Sequence, residues 1–241
     1  MTRSPASSPA DFDAAWLVAS AVPGWCTREQ GLALWNATRR LAPGTAVLEI
    51  GSHKGRSTLV LAQAAKAVGA HVHAVDPFIE GRLFGGQSTR TTFEANVAAA
   101  AVADVVELHP EFSRVLRPTW DRPLDLVYID GKHDYWTVRD DLRWGEHLPQ
   151  GGELLVHDSY SSIGVTLGLI VSVLLASDWV YVERTGSLAL FRRDRPTVRD
   201  RARVLAEMPW FVRNVGIKVL LRLRLRKVAR AFGHEGDYDP Y

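Results

Sequence analysis

The chain contains little cysteine and no apolar stretch long enough to be a clear membrane span, and each shortage excludes a class of protein. Among its 241 residues Cys26 is the single cysteine, which excludes an internal disulfide framework and a multi-cysteine metal site. The uncharged stretch 161–177 contains Gly, Ser and Thr and falls short of a comfortable span, so we expect a buried helix beside a sheet. The first ten residues lack the apolar segment of a secretory signal.

An excess of one charge sign is also missing, because 29 Lys and Arg stand against 27 Asp and Glu. The distribution is uneven: residues 1–194 carry 18 basic and 22 acidic residues, whereas residues 195–241 carry 11 and 5. A mildly acidic body argues against nucleic acid as a partner. Attraction to an anionic surface is confined to the basic tail.

The composition is that of a globular protein, with 46% apolar and 23% charged residues. Three segments are predicted. Residues 1–26 are a partly disordered leader, since their first ten positions are rich in Ser, Pro and Ala. Residues 27–194 form one domain, and residues 195–241 form a basic amphipathic extension.

The domain is predicted to be α/β. Thr27 and Gln30 have the spacing of a capping box at the start of a helix. Short apolar runs then alternate with helical patterns, which favours a doubly wound, mostly parallel sheet covered on both faces. The last two strands are close enough to form an antiparallel hairpin. The predicted strands are 46–50, 71–75, 105–108, 124–129, 153–156, 179–182 and 187–191, and the main helices are 27–41, 58–68, 91–101, 135–147 and 163–175.

Ligands of such sheets bind outside the carboxyl ends of the strands. The strand ends of this chain carry acidic residues, a histidine and a glycine, and we expect the functional site among them. These residues are Glu49, Gly51, Asp76, Asp130, His157 and Asp158.

The turn after the first strand is a poor match to two phosphate-binding motifs. A P-loop needs four residues between its glycines, followed by Lys, but three separate Gly51 from Gly55, and Arg56 takes the Lys position. A dinucleotide-binding turn needs glycine where His53 stands. In addition, the Glu49 carboxylate would repel a pyrophosphate.

S-adenosylmethionine (SAM) fits the same turn better, because it has a sulfonium, an ammonium and a ribose but no phosphate. Glu49 supplies an acidic group near the cation. Asp76 ends the second strand in the region where a ribose-binding acid is expected. Each carboxylate alone is equally consistent with a local structural role, as a turn cap or as the residue before Pro77. Together they favour a nucleoside.

From about Val47 to Arg192 the chain resembles the Rossmann-like, class I SAM-dependent O-methyltransferases. More narrowly, it is similar to the branch with metal-dependent sugar and macrolide-sugar methyltransferases and cephalosporin-hydroxylase-like proteins. The resemblance implies seven strands with the last antiparallel. It rests on the stretches 48–57 (LEIGSHKGRS), 75–77 (VDP), 128–133 (YIDGKH) with Tyr135, and 156–159 (VHDS).

The resemblance also implies roles for individual residues. Asp130 and Asp158 are expected to hold Mg²⁺ or another divalent cation, which prefers oxygen ligands, and His133 is expected to be the general base. His157 is an additional candidate ligand, although the family has an acid there and imidazole suits a transition ion better. The predicted catalytic residues are thus His133 and Asp130, and the cofactor-binding residues are Glu49, Gly51, Ser52, Gly55, Ser57, Asp76 and Ser113.

Alternatives stay open for several of these residues. His157 and Asp158 are also consistent with a hydrogen-bonded strand terminus, and His133 with packing or capping of the helix at Tyr135. Residues 78–90 form either a lid over the acceptor or an ordinary connection. His53 and Lys54 either contact ligands or are solvated, and His71 and His73 are interpreted as structural.

The basic tail has an apolar stripe typical of an amphipathic helix, although residues 221–226 also alternate as in a strand. Such a helix binds an anionic membrane, packs on the acidic body or mediates a homo-oligomer. The stripe consists of Ile217, Leu220, Leu221, Leu225, Val228 and Phe232.

The sequence therefore predicts a cytoplasmic SAM-dependent O-methyltransferase that acts on a hydroxyl of a saccharide or glycosylated metabolite. It is peripheral at the membrane only if the tail binds there. One alternative is a phenolic or catechol-like acceptor. Another is a non-catalytic, membrane-associated protein that binds SAM or a nucleotide.

Overall fold

The computed structural model describes residues 9–81, 85–175 and 178–234. Within these ranges one seven-stranded sheet has the order β3-β2-β1-β4-β5-β7-β6. The pairs among β1 to β5 are parallel, whereas β7 is antiparallel to β5 and β6. This confirms the predicted doubly wound fold with a terminal hairpin. The strands are β1 Ala46–Ile50, β2 His71–Val75, β3 Val106–His109, β4 Leu126–Ile129, β5 Glu153–Val156, β6 Trp179–Thr185 and β7 Leu188–Arg193.

Helices cover both faces of the sheet. One core joins α1 to α4 with Val47, Val72 and Tyr128 of the sheet. The other joins α6 and α7 with Leu48 and Ile129. The α-helices are α1 Pro9–Ser20, α2 Arg28–Arg39, α3 Arg56–Lys66, α4 Gln87–Ala99, α5 Ser113–Leu116, α6 Tyr135–Asp141, α7 Ile163–Leu169, α8 Val198–Ala206, α9 Met208–Arg222 and α10 Arg226–Ala231.

Two predicted helices are shorter than expected. The helix predicted at 135–147 continues beyond α6 as a 3-10 segment, Leu142–His147. The helix predicted at 163–175 continues beyond α7 as a π-helical segment, Ile170–Leu174. Among the described helices none is both long and apolar enough to cross a membrane.

Helix α1 was not predicted. It lies within the segment expected to be a leader, yet Phe12, Ala15 and Ala19 are buried in the core. The Phe12 ring contacts those of Trp16 and Trp35, with centroids 6.2 and 6.0 Å away. Short helices draw most of their stability from such tertiary packing rather than from local propensity.

Within residues 195–234 the tail forms three helices, with a turn between α9 and α10 that includes Arg224 at a φ of 61°. The strand alternative for residues 221–226 was therefore wrong. Of the predicted stripe, Ile217 is buried, whereas Leu225, Val228 and Phe232 are exposed.

The tail is attached to the body by polar contacts. Tyr181 Oη donates to Glu207 Oε1 at 2.6 Å, and Asn214 Nδ2 donates to the carbonyl oxygen of Tyr160 at 3.2 Å. The Arg184 guanidinium lies 3.9 Å from the centre of the Trp210 ring. Packing on the body, one of the three roles considered for the tail, thus accounts for α8 and α9.

Candidate active site

The carboxyl ends of β1, β2, β4 and β5 meet at one edge of the sheet, where the chain order reverses between β1 and β4. This is the usual binding position in a doubly wound sheet. The bend after β1 lies there. Gly51 has a φ of 91°, and a Cβ on it would lie 2.2 Å from the carbonyl oxygen of Asp130. Glycine is therefore required where the bend crosses the end of β4.

Glu49 lies beneath this bend and is fully buried. Its Oε1 accepts a hydrogen bond from Ser57 Oγ at 2.6 Å, and its Oε2 accepts one from Thr58 Oγ1. Ser52 is also buried beside it. Glu49 and Ser57, both predicted to bind the cofactor, join β1 to the first turn of α3 through their hydrogen bond.

Burial raises the pKa of Glu49 to about 7, although the hydroxyls of Ser57 and Thr58 act in the opposite direction. The folded state therefore favours the protonated carboxyl. The stabilisation that follows is complete below the ordinary pKa of about 4.5 and is lost as the pH rises through about 7.

We expect the pH dependence of the free energy of unfolding to show the raised pKa of Glu49. Between about pH 5 and 8 the parent protein should lose on the order of 3 kcal/mol relative to Glu49→Gln, whose side chain does not ionise. Urea unfolding at several pH values measures the difference. Glu94→Gln, at an exposed position on α4, is the control and should parallel the parent. The assignment is wrong if Glu49→Gln also parallels it.

Asp76 at the end of β2 fixes the other side of the bend. Its Oδ2 accepts from the backbone N–H of His53 and its Oδ1 from that of Phe78, both at 2.9 Å. Burial raises its pKa. A carboxylate has about four acceptor positions, so these two bonds leave capacity for ribose hydroxyls.

Arg56, in the position of the P-loop Lys, has its guanidinium engaged elsewhere. Its guanidinium is directed away from the bend and donates to four backbone carbonyls between α1 and α2, those of Ser20, Val22, Gly24 and Cys26. The residue in the P-loop Lys position therefore fixes the incoming chain.

The second half of the site gathers two carboxylates and two imidazoles. His133 Nδ1 lies 3.0 Å from Asp158 Oδ2, and His133 Nε2 lies 3.7 Å from Asp130 Oδ1. His157 Nδ1 lies 3.2 Å from the same Asp130 oxygen. The side chain of His133 is 42% exposed, whereas those of His157 and Asp158 are buried. His133 is thus the member of the cluster most open to a substrate.

The charges in this cluster compensate one another. Burial acts to lower the pKa of His133, but Asp130 and Asp158 outweigh it and raise that pKa to about 10. They also raise the pKa of buried His157. Burial acts to raise the pKa of Asp130, but the two histidines hold it below its usual range. His133 therefore carries a proton at neutral pH and must release it before it can accept another.

A strained turn positions Asp158. Asp158 and Tyr160 have φ values of 56° and 58°, a region in which non-glycine residues are uncommon. Ser161 Oγ donates to Asp158 Oδ1 at 3.1 Å. Strain of this kind persists where the surroundings determine the backbone, often at functional sites.

Two contributors to the cluster were missed in the sequence. Tyr128 Oη donates to Asp130 Oδ2 at 3.1 Å. Gln30 Oε1 accepts from the backbone of Thr27 and lies 3.2 Å from His157 Nε2. The capping box was recognisable, but its extension to a strand end 127 residues away was not.

The predicted metal ligands Asp130, His157 and Asp158 lie together at the crevice edge. Asp130 Oδ1 and Asp158 Oδ1 lie 3.2 and 3.5 Å from His157 Nδ1, and both carboxylates also pair with His133. Within the described ranges, the only set of three or more metal-ligating side chains with donor atoms all within 4.8 Å of one another lies elsewhere. We therefore derive no catalytic step through a metal.

Ser113, a predicted cofactor-binding residue, and His53 and Lys54, whose roles were left open, each have contacts in the structure. Ser113 begins α5 and donates to Asp141, a carboxyl whose pKa burial raises to about 7. The His53 ring lies 5.4 Å from that of Trp25. The Lys54 carbonyl accepts from Asn96. Part of the predicted lid, residues 82–84, lies outside the described residues.

Comparison with known proteins gives one family match and several structural neighbours. Residues 48–159 match a family described as a methyltransferase domain. The chain is also similar to the O-methyltransferase TomG from Streptomyces achromogenes, solved with SAM, at 20% identity and a TM-score of 0.57, over 79% of this chain and 92% of TomG. It is similar to an O-methyltransferase from Bacillus cereus, solved with S-adenosylhomocysteine (SAH), at 16% identity and a TM-score of 0.56, over 78% and 93%. It is similar to the O-methyltransferase NovP at 15% identity and a TM-score of 0.57, over 71% of this chain and 84% of NovP.

Identities this low establish the fold alone. The family match covers residues 48–159, somewhat less than half of the chain. The sheet order and the similarity to a methyltransferase domain agree with the predicted class I SAM-dependent methyltransferase.

Proposed function

We propose that this methyltransferase transfers the SAM methyl group to a hydroxyl of a saccharide or glycosylated metabolite. The observation that carries the proposal is the cluster of Asp130, His133, His157 and Asp158 at the crevice edge, with His133 exposed between two carboxylates. An aliphatic hydroxyl is a poor nucleophile and benefits from such a built proton acceptor, whereas a phenol depends on one less. The description of several structural neighbours as O-methyltransferases supports oxygen as the acceptor atom.

In the proposed reaction the acceptor oxygen attacks the sulfonium methyl in line. The new O–CH₃ bond forms as the S–CH₃ bond breaks, which leaves SAH. His133, after releasing its own proton, takes the hydroxyl proton, while Asp130 and Asp158 orient the ring. Holding the reactants in line removes roughly 7–11 kcal/mol of the barrier, and a positioned base contributes about 10²–10⁴-fold.

The cofactor is proposed to bind over the bend. Gly51, Ser52 and Gly55 allow close backbone approach, and Asp76 is proposed to accept from the ribose hydroxyls. Ser113 stays a predicted neighbour of the adenosine. Glu49 and Ser57 act from below, by holding the bend in shape.

The acceptor class is tested with methyl-labelled SAM and two panels, one of glycosides with free hydroxyls and one of phenols and catechols. We expect label to transfer to a glycoside. Transfer to phenols alone would establish the alternative acceptor class. SAM binding without transfer to either panel would favour a non-catalytic protein. Parallel reactions with a chelator test metal assistance, with Asp130, Asp158 and His157 as its proposed ligands.

Cytoplasmic location, membrane contact and homo-oligomerisation stay predictions. The exposed apolar residues of the tail, Leu225, Val228 and Phe232, lie next to Arg226, Lys227 and Arg230, a combination that suits an anionic lipid surface. Sedimentation with vesicles of neutral and of anionic lipid tests this contact.

A further inference from the structure

A second cluster of metal-ligating side chains lies on strands β2 and β3, away from the proposed catalytic residues. In the parallel pairing of these strands His73 is opposite Glu107. His109 follows Glu107 by two residues, and side chains two apart on a strand share a face. The register therefore brings two imidazoles and a carboxylate together on one face near the sheet edge.

The donor atoms are spaced as around a single ion. His73 Nδ1 and His109 Nε2 lie 3.2 Å apart. Glu107 Oε2 lies 3.4 Å from the His73 nitrogen, and Glu107 Oε1 lies 3.6 Å from the His109 nitrogen. Ligands at the usual zinc bond lengths in a tetrahedral arrangement are separated by about 3.3 Å. The three distances bracket that value.

We propose that His73, Glu107 and His109 bind a transition-metal ion, with Zn²⁺ as the best match. Two imidazoles and one carboxylate form a donor set that zinc uses with an open fourth position. Mg²⁺ and Ca²⁺ are poorer matches, because they prefer oxygen donors.

The surroundings hold the ligands in place. The Trp120 ring packs on both imidazoles, with centroids 4.7 Å from His73 and 5.8 Å from His109. Arg122 contacts Glu107 Oε2, and this salt bridge holds the carboxylate beside the two imidazoles. Burial lowers the pKa of both imidazoles, so their nitrogen lone pairs are available at neutral pH.

Solvent reaches the cluster. An adjoining cavity of about 410 Å³ is lined by His71, His73, Glu107 and Arg122 at the amino ends of the strands. An ion can enter there, and water can complete its coordination. Because β3 is an edge strand and less buried than β1, an ion shared by β2 and β3 would stabilise this edge.

The test uses untagged, chelator-stripped full-length protein and titration with Zn²⁺ in competition with a chromophoric chelator. We expect a tightly bound Zn²⁺ ion and a raised melting temperature. Glu107→Gln and His109→Asn should weaken binding at least 10-fold. Both residues are partly exposed, and circular dichroism checks that the variants fold. Co²⁺ should give the intense visible bands of a tetrahedral site, which the variants lose.

Two controls separate this site from others. His147→Asn, which removes a histidine outside the cluster, should bind Zn²⁺ like the parent. Asp158→Asn should also do so, because it alters the catalytic cluster alone. The proposal is overturned if the parent binds no Zn²⁺ at micromolar concentration. It is equally overturned if Glu107→Gln and His109→Asn bind like the parent, or if Asp158→Asn abolishes binding.

Discussion

Replacing His133 by alanine is expected to lower kcat by about 10²-fold or more while leaving the affinity for SAM within about twofold. His133 is the exposed member of the catalytic cluster, 3.0 Å from Asp158, and the variant removes the proposed proton acceptor. The bend between Gly51 and Gly55 and its contact with Asp76 are not altered. Turnover of the acceptor found in the panels measures kcat, and calorimetry with SAM measures affinity.

Lys132→Ala is the matched control for this prediction, because Lys132 is the preceding residue of the same loop, with its side chain 72% exposed. It should retain kcat within about threefold. If His133→Ala retains kcat to the same extent, proton transfer does not depend on His133. If it loses SAM binding as well, the residue acts through the shape of the crevice.

The pH profile gives a second readout of the same role. With a pKa of about 10, raised by Asp130 and Asp158, few His133 rings are neutral at pH 7. The parent kcat should therefore rise with pH through the neutral and alkaline range. Asp158→Asn removes one neighbouring carboxylate, so the profile should shift toward lower pH. A parent profile that is flat from about pH 7 to 9 would contradict this assignment.

The sheet could be predicted because its central strands are short apolar runs that end at turns. Strands β1 and β4 are buried along their whole length, which produces continuous hydrophobic runs in the sequence. The two edge strands, β3 and β6, have less regular patterns. Strand β3 has a mixture of exposed and half-buried residues, and β6 is longer than predicted and has an irregular register near Tyr181.

The membership of the catalytic cluster could also be predicted, since carboxyl ends of parallel strands meet at one edge. The direction in which each side chain points could not be predicted. Glu49 precedes the bend in the chain, but alternation along β1 and the hydroxyls of Ser57 and Thr58 place it below the bend. Likewise, the pairing of Asp130 and Asp158 with imidazoles depends on how the loop at His133 folds back.

Contacts between distant segments could not be predicted either, because they depend on how the chain folds. Helix α1 forms because Phe12 packs against Trp35, and Arg56 fixes the chain between α1 and α2. Neither interaction leaves a periodic pattern in the sequence. The tail shows the converse. Its amphipathic pattern predicted a helix, but the position of the break depends on Arg224 adopting a left-handed conformation.

Gly51→Ala is expected to destabilise the protein by about 3 kcal/mol or more and to abolish SAM binding. Two separate penalties apply. A left-handed φ costs an alanine roughly 1–2 kcal/mol, and the new Cβ would lie 2.2 Å from the Asp130 carbonyl oxygen and 2.9 Å from the Gly131 nitrogen. Both neighbours are backbone atoms, so relief requires β1 and β4 to separate at the crevice.

Gly44→Ala isolates the first penalty. Gly44 has a similar φ of 79°, but a Cβ there meets nothing within 4 Å. This control should lose only about 1–2 kcal/mol and retain SAM affinity, because it lies at the amino end of β1, away from the crevice. Urea unfolding and calorimetry compare the two variants directly. If they are equally stable and bind SAM equally well, the bend does not cross β4 as closely as the structure has it, and the proposed cofactor position fails with it.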